Sequence, residues 1–198
     1  VARRNLRNAL ANLRKAIRDR EAIPPHLLVT HETIQFNIAS DHWLDVAAFR
    51  TLAGLSIEAR AQENHRDDLE RFKEALALYR GPLLADVPVT NSEKWDEWYE
   101  PLRRQLDLEG REVLERLAAG YEQRGELERA LGYARRLVQW APWLEEGHRQ
   151  VMRLLARSGG RGAALAYYDD CRRMLRKELD VEPDPETVRL VQEIRQRG

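Results

Sequence analysis

At 198 residues the chain is about one to one and a half typical domains long, enough to bury a real core. One-third of its residues are charged and only 7% aromatic, the balance of a largely helical protein. No apolar run nears the roughly 18 residues of a membrane span and no signal peptide opens the chain, so the expected compartment is the cytoplasm, without a membrane partner. The formal net charge of zero hides an asymmetry: residues 1–38 hold seven of the 33 basic side chains and three of the 33 acidic ones, a balance of +4 that leaves −4 for the rest. Opposite signs in adjacent segments predict different partners, and the basic one suits phosphate.

The chain opens at Val1 inside a helical pattern, which predicts a fragment of a longer protein. In VARRNLRNALANLRKAIRDR, Leu6, Leu10, Leu13 and Ile17 recur at helical spacing and predict a core face. The opposite face displays Arg4, Arg7, Asn8, Ala11, Asn12 and Lys15, with Arg3 and Arg14 at its margins. Short amides and guanidinium forks bond base edges, alanine permits close approach, and cations meet phosphates, so the face fits a DNA major groove. An ordinary solvated amphipathic helix has the same look.

After Pro24 and Pro25, LLVT and IQFNI read as two short strands around His31 and Glu32, with Leu28, Ile34, Phe36 and Ile38 as their apolar face. His-Glu is a poor type I′ turn, so the hairpin's turn type stays open. A basic helix followed by a hairpin is the second half of a winged helix, in which the hairpin wing touches backbone or minor groove.

From Asp41 the pattern is helical. Val46, Phe49, Leu52, Ala53 and Ile57 form one stripe, and Leu69, Phe72, Leu76 and Tyr79 another, with Ala75 as a small contact residue between them. Gly81 and Pro82 stop the second helix, and the insertion from Gly81 to Asn91 reads as a loop pinned by Leu83, Leu84 and Val87. Ser92 is a fitting N-cap for a helix carrying Trp95, Trp98 and Tyr99, a cluster read as a packing joint, and Pro101 predicts a kink or restart.

The stretch from Arg111 to Pro142 reads as two antiparallel helices joined at Gly125, with small Ala130 and Ala134 facing Leu117 and Tyr121. The pattern recurs 34 residues on: Ala130 maps onto Ala164, Leu131 onto Leu165, Ala134 onto Tyr168, Leu137 onto Cys171 and Gly125 onto Gly159. Period and pattern resemble the tetratricopeptide repeat, although His148 and Val151 stand where larger apolar residues are usual and the closing proline arrives late, at Pro183. Helices over roughly 144–157 and 161–179 form the second pair. Asp184, Pro185 and Glu186 then start a helix whose Val188, Val191 and Ile194 cap the array.

Taken together, ARRNLRNALANLRKAI, LLVTHETIQFN, DHWLDVAAF, ALALYRGPLLAD and LRKELDVEPDPET resemble the bacterial transcriptional activator domain family, in which an OmpR-type winged helix precedes a tetratricopeptide-like α-domain, as in antibiotic-pathway regulators. The resemblance spans nearly the whole chain and is most specific in YRGPLLAD and ELDVEPDPET. It implies a mainly α fold: a partial winged helix over residues 1–39 and the helical domain over 40–198. It also implies a DNA-binding transcriptional activator. In that reading Arg4, Arg7, Asn8, Asn12 and Lys15 face the major groove, while Arg3, Arg14 and a wing residue such as His31 or Thr33 meet phosphates. The helical domain would self-associate or contact RNA polymerase or a signalling partner. Two alternatives stay open: a helical-repeat adaptor that binds protein without DNA, and an inter-domain module of a larger ATP-dependent regulator.

No catalytic chemistry competes with this reading. GGRGAA lacks the lysine and hydroxyl of a phosphate-binding loop, His31-Glu32 is followed by Gln35 rather than a second histidine, and the histidines at 26, 31, 42, 65 and 148 lack ligand-like companions. Cys171 lies on an apolar helical face, where packing is its expected role. No enzyme, cofactor or metal is expected.

Overall fold

The computed structural model describes residues 2–55, 68–87, 89 and 92–196, with side chains from Arg4 onward. Among them are eight helices and one antiparallel sheet, in the order α1 (Ala2–Ala16), β1 (Leu27–Val29), β2 (Ile34–Phe36), α2 (Asp45–Leu52), α3 (Asp68–Leu78), α4 (Glu93–Gln123), α5 (Leu127–Trp140), α6 (Glu145–Arg157), α7 (Arg161–Leu179) and α8 (Pro185–Gln196). The fold is mainly α, as the periodicity predicts. The chain divides between Ala47 and Ala48 into two compact units.

In the first unit the hairpin pairs Leu27 with Phe36, Leu28 with Gln35 and Val29 with Ile34. Side chains of paired residues share a face, so Leu27 and Val29 accompany Ile34 and Phe36, and Leu28 points the other way. The expected apolar face is therefore corrected by one residue on β1. Leu27 is buried, whereas Leu28, Ile34, Phe36 and Ile38 are exposed. The core face expected for α1 is only partly buried: Leu6 is 57% and Leu13 46% exposed, and Leu10 and Ile17 are half-buried.

The second unit is an array in which α3 packs on α4, α4 on α5, α5 on α6 and α6 on α7, and α8 closes against α6 and α7. Its centre is the predicted pair. Leu114, Leu117, Ala118 and Tyr121 of α4 and Ala130, Ala134 and Leu137 of α5 are all buried. Tyr121 stacks on Tyr133 with ring centroids 5.5 Å apart. Gly125 turns the chain with φ 76° and its counterpart Gly159 with φ 84°, a backbone region open to glycine at no steric cost. The repeat is therefore structural: Ala164 and Cys171 are buried like Ala130 and Leu137, Leu165 is half-buried like Leu131, and Tyr168, too large for the fully buried Ala134 position, is half-buried.

Some local expectations need correction. α4 runs unbroken for 31 residues through Pro101, with no restart. A mid-helix proline costs about 3 kcal/mol, and burial of Leu106, Val113, Leu114 and Leu117 further along the same helix offsets that cost. Ser92 occupies the N-cap, but its side chain makes no capping bond. In the loop before α4, Leu84 and Val87 are exposed. The anchor is polar instead: the Tyr99 hydroxyl donates to the Leu83 carbonyl at 2.7 Å. Trp95 stacks on Tyr99 at 5.7 Å as a packing joint would, while Trp98 remains half-exposed. Ile57 and Asn91 lie outside the described residues.

Elsewhere close approach is bought by glycine and aromatic pairing. Trp140 sits over Gly110, where a Cβ would come within 2.6 Å of the indole, and donates Nε1 to Asp107 at 2.6 Å. Phe49 of α2 meets Tyr79, and Arg50 donates to Glu109 of α4 at 2.8 Å. The last helix starts as predicted, with the Glu186 amide donating to Asp184 Oδ1 at 2.8 Å. It is docked by a buried polar clamp: Thr187 donates its hydroxyl to Glu145 at 2.6 Å and accepts from Arg149 at 3.2 Å.

Candidate nucleic-acid interface

The face that carries the predicted DNA contacts belongs to α1. Arg14 and Lys15 in the last turn complement the helix dipole. Spacings of three and four bring Arg4, Arg7, Asn8, Ala11, Asn12 and Lys15 onto one side of a helix. All six are exposed, and none of the polar side chains has a hydrogen-bond or ion-pair partner among the described residues. Five unengaged polar side chains thus stand in one row on the helix surface. The side chain of Arg3 lies outside the described residues.

The helix ends in a Schellman motif whose left-handed residue is not glycine. Arg18 takes φ 52°, the Asp19 amide donates back to the Arg14 carbonyl at 2.9 Å and the Arg18 amide to Lys15 at 3.3 Å. A left-handed conformation at a residue with a Cβ costs roughly 1–2 kcal/mol, and the Asp19 side chain supplies a compensation. Its Oδ2 accepts from Arg14 Nε at 2.7 Å and its Oδ1 from the Leu27 amide at 2.8 Å. One carboxylate thus ties the end of α1 to the first residue of β1. Asp19 is only 1% exposed. Burial raises its pKa, but the Arg14 guanidinium and the Leu27 and His26 amides outweigh this and hold the carboxyl below the ordinary range.

The hairpin turn is built by a hydroxyl rather than by positive φ. Thr30 Oγ1 accepts from the Glu32 and Thr33 amides at 3.2 and 3.0 Å and lies 2.9 Å from Thr33 Oγ1. Neither His31 nor Glu32 has positive φ, which rules out a type I′ turn. His31 and Thr33 are both exposed at the tip. Behind the strands, Asn37 Nδ2 donates to the Pro25 carbonyl at 2.7 Å, Ser40 Oγ donates to the Asn37 carbonyl at 2.7 Å, and the His42 ring meets Phe36 edge-on at 4.8 Å.

The sequence-derived set therefore divides. Arg4, Arg7, Asn8, Asn12 and Lys15 share one exposed helical face, and His31 and Thr33 share one turn. Arg14 differs: its Nε is engaged by Asp19, and its side chain is 33% exposed. Periodicity missed Asp19, Asn37 and Ser40, the buried polar groups of this unit. Asp19 had a readable signal as one of only three acids among seven bases in residues 1–38.

Among the described residues no three His, Cys, Asp or Glu side chains gather as metal ligands, and no helix is long and apolar enough to cross a membrane. Cys171 is buried, which pushes its thiol pKa up to about 12 and makes it a poor nucleophile.

The model of the bacterial transcriptional activator domain family matches residues 44–195. The chain is 31% identical over 161 residues to regulatory protein AfsR of Streptomyces griseus, a match covering 76% of this chain and 15% of that protein. It is 32% identical to regulatory protein AfsR of Streptomyces coelicolor, covering 95% of this chain and 18% of the relative. The chain thus spans less than a fifth of the length of these curated relatives. The YRGPLLAD and ELDVEPDPET segments both fall within the matched region, and the chain belongs to the bacterial transcriptional activator domain family.

Proposed function

We propose that the protein is a cytoplasmic, DNA-binding transcriptional activator, not an enzyme, whose first 39 residues supply a recognition helix and wing and whose remaining residues form a regulatory helical domain. The observation that carries this reading is the exposed, unengaged polar row on α1, latched through Asp19 to the hairpin. A helix that offers guanidinium, amide and ammonium groups at helical spacing matches the donor and acceptor pattern of base edges flanked by phosphates. In this reading Arg4, Arg7, Asn8, Asn12 and Lys15 enter the major groove of double-stranded DNA. Arg3, the remaining donors of Arg14, and His31 or Thr33 meet phosphates. Family membership and the similarity to two regulatory proteins support regulation as the role. The helical domain then serves self-association or contact with RNA polymerase or a signalling protein.

The test uses the full-length protein on its operator. Arg7→Ala and Asn12→Ala should each lower affinity by about 1–3 kcal/mol and relax sequence preference. Arg3→Ala, at a phosphate contact, should weaken binding evenly across sequences and make its salt dependence shallower by about one released counterion. Binding that ignores all three substitutions, or that does not fall with salt, would remove α1 from the interface.

A further inference from the structure

We propose that the cleft bounded by α6, the start of α7 and α8 is a binding site for a small amphipathic anion, an oxyanion head on an apolar body. Its floor is apolar: Ala156 of α6 with Leu190 and Ile194 of α8. Its rim is cationic: Arg153, Arg157 and Arg161. Glu193 is the one acid on the wall, so the wall carries three cations against one anion.

The guanidinium groups are held in place and retain free donors. Arg153 donates one Nη to Glu146 at 3.1 Å, Arg157 one Nη to Glu122, and Arg161 one Nη to the Arg195 carbonyl. Each of these bonds uses one of five N–H donors. The others can grip a carboxylate or phosphate in the forked manner that guanidinium favours, without a search for a rotamer.

Charge and shape together select the ligand class. A neutral apolar molecule would cover the floor while drawing water away from three cations, and a bare inorganic anion would leave Leu190 and Ile194 unused. The cleft measures about 380 Å³, within the size range of small-molecule sites.

Occupancy has a mechanical consequence. The ligand bridges α6 and α8, and so adds to the buried Val191 and Ile194 and the Glu145, Arg149 and Thr187 clamp in stabilising the seating of the last helix. The cleft offers the helical domain a route to effector control, and its existence does not depend on α1 binding DNA.

The experiment titrates the full-length protein with octanoate, octyl phosphate, octanol and inorganic phosphate, reading heat and backbone hydrogen exchange. Both amphipathic anions should bind saturably and slow exchange across α8. Octanol and inorganic phosphate should bind at least tenfold more weakly, which isolates the head from the body. Agreement between octanoate and octyl phosphate would define a general oxyanion site, and a preference for one would name its source. Arg153→Ala combined with Arg157→Ala should reduce octanoate affinity tenfold or more, with Arg173→Ala, on α7 outside the cleft lining, as the unchanged control. Arg161→Ala gives a second check, since it breaks no interhelical ion pair and leaves the fold intact. Octanol binding as tightly as octanoate, indifference to the arginine substitutions, or unprotected α8 overturns the proposal. Preference for an acidic amphipathic peptide over every small anion overturns it in favour of a protein partner.

Discussion

The two units of this chain are held together by different chemistry. In the array from Ala48 onward, apolar side chains meet one another: Leu114, Leu117, Leu137, Met152, Leu154 and Leu175 are all at most 1% exposed. In the described residues of the first unit Leu27 is the single buried apolar side chain, whereas Asp19, Asn37 and Ser40 are buried polar ones. Apolar burial is non-directional and tolerates small shifts, so the array is robust to local detail. Buried hydrogen bonds are directional, so the first unit has its geometry set by a few atoms and loses it when one partner is removed. A scaffold suits the former, and a surface that must hold a helix and a hairpin in fixed register suits the latter.

The largest expected effect tests the array. Leu117→Ala deletes a fully buried side chain at the α4–α5 contact and should lower stability by about 2–5 kcal/mol. Thermal unfolding followed by far-ultraviolet circular dichroism checks it, and a loss below 1 kcal/mol would show that the array rests on something other than its core. Next in size is Gly110→Ala. Its Cβ would stand 2.6 Å from the Trp140 ring and 3.3 Å from that of Tyr79, and the two rings pack on each other at a centroid distance of 4.5 Å. The indole has little room to retreat, so overpacking of about 1–3 kcal/mol is expected, outweighing alanine's helical advantage of about 1 kcal/mol. Stabilisation by this substitution would mean that the indole moves freely.

The same contrast governs what could be read from residue patterns. Leu114, Leu117, Ala130, Ala134 and Leu137 stand at helical spacing because they share one buried seam, so periodicity located them and the 34-residue repeat. Gly125 and Gly159 marked both turns through their backbone freedom. The hairpin's existence is legible, but its face is not: three-residue strands give period-two alternation too little length to fix a register, and the pattern points to Leu28 where the structure buries Leu27. Pro101 predicts a break locally, and only the burial of side chains further along α4 decides against one. Asp19 and Asn37 act through bonds to backbone atoms at Leu27 and Pro25, eight and twelve residues away, and no sequence spacing announces such pairs. The polar row of α1 was legible as a row because a helix needs only its own spacing to form one.

Asp19→Asn tests the first unit alone. The amide keeps the size of the side chain and removes the charge that meets the Arg14 guanidinium. Exchange of the Leu27 amide should accelerate at least tenfold while the array melts unchanged. The sign with pH follows from the lowered pKa: the carboxylate stabilises the latch above its ordinary value of 3.8 and the benefit is lost as pH falls through the lower folded value. Wild-type latch amides should therefore open in acid, and those of the variant should show no such acid step. An array that destabilises along with the latch would show that the units are one cooperative block.

The smallest effect concerns a polar residue that the array buries. His148 is 5% exposed, with Nε2 2.8 Å from the Pro142 carbonyl and Nδ1 3.1 Å from the Tyr167 hydroxyl. A carbonyl only accepts, so Nε2 carries the proton and the tyrosine donates to Nδ1. Burial lowers the His148 pKa, and the Pro142 carbonyl and Glu145 oppose this only in part. Above its ordinary value of 6.5 both folded and unfolded histidines are neutral and stability is flat. Below that value the unfolded chain takes up a proton first, so stability falls with pH until the folded group also titrates. One proton sets an upper limit of about 1.4 kcal/mol per pH unit on this slope. His148→Gln, whose amide can donate to Pro142 in the same way, should flatten the difference in denaturant midpoint between pH 7 and pH 5. A variant that keeps the wild-type slope would assign the titration to another group, and the array would then have no pH-sensitive polar joint at its second repeat.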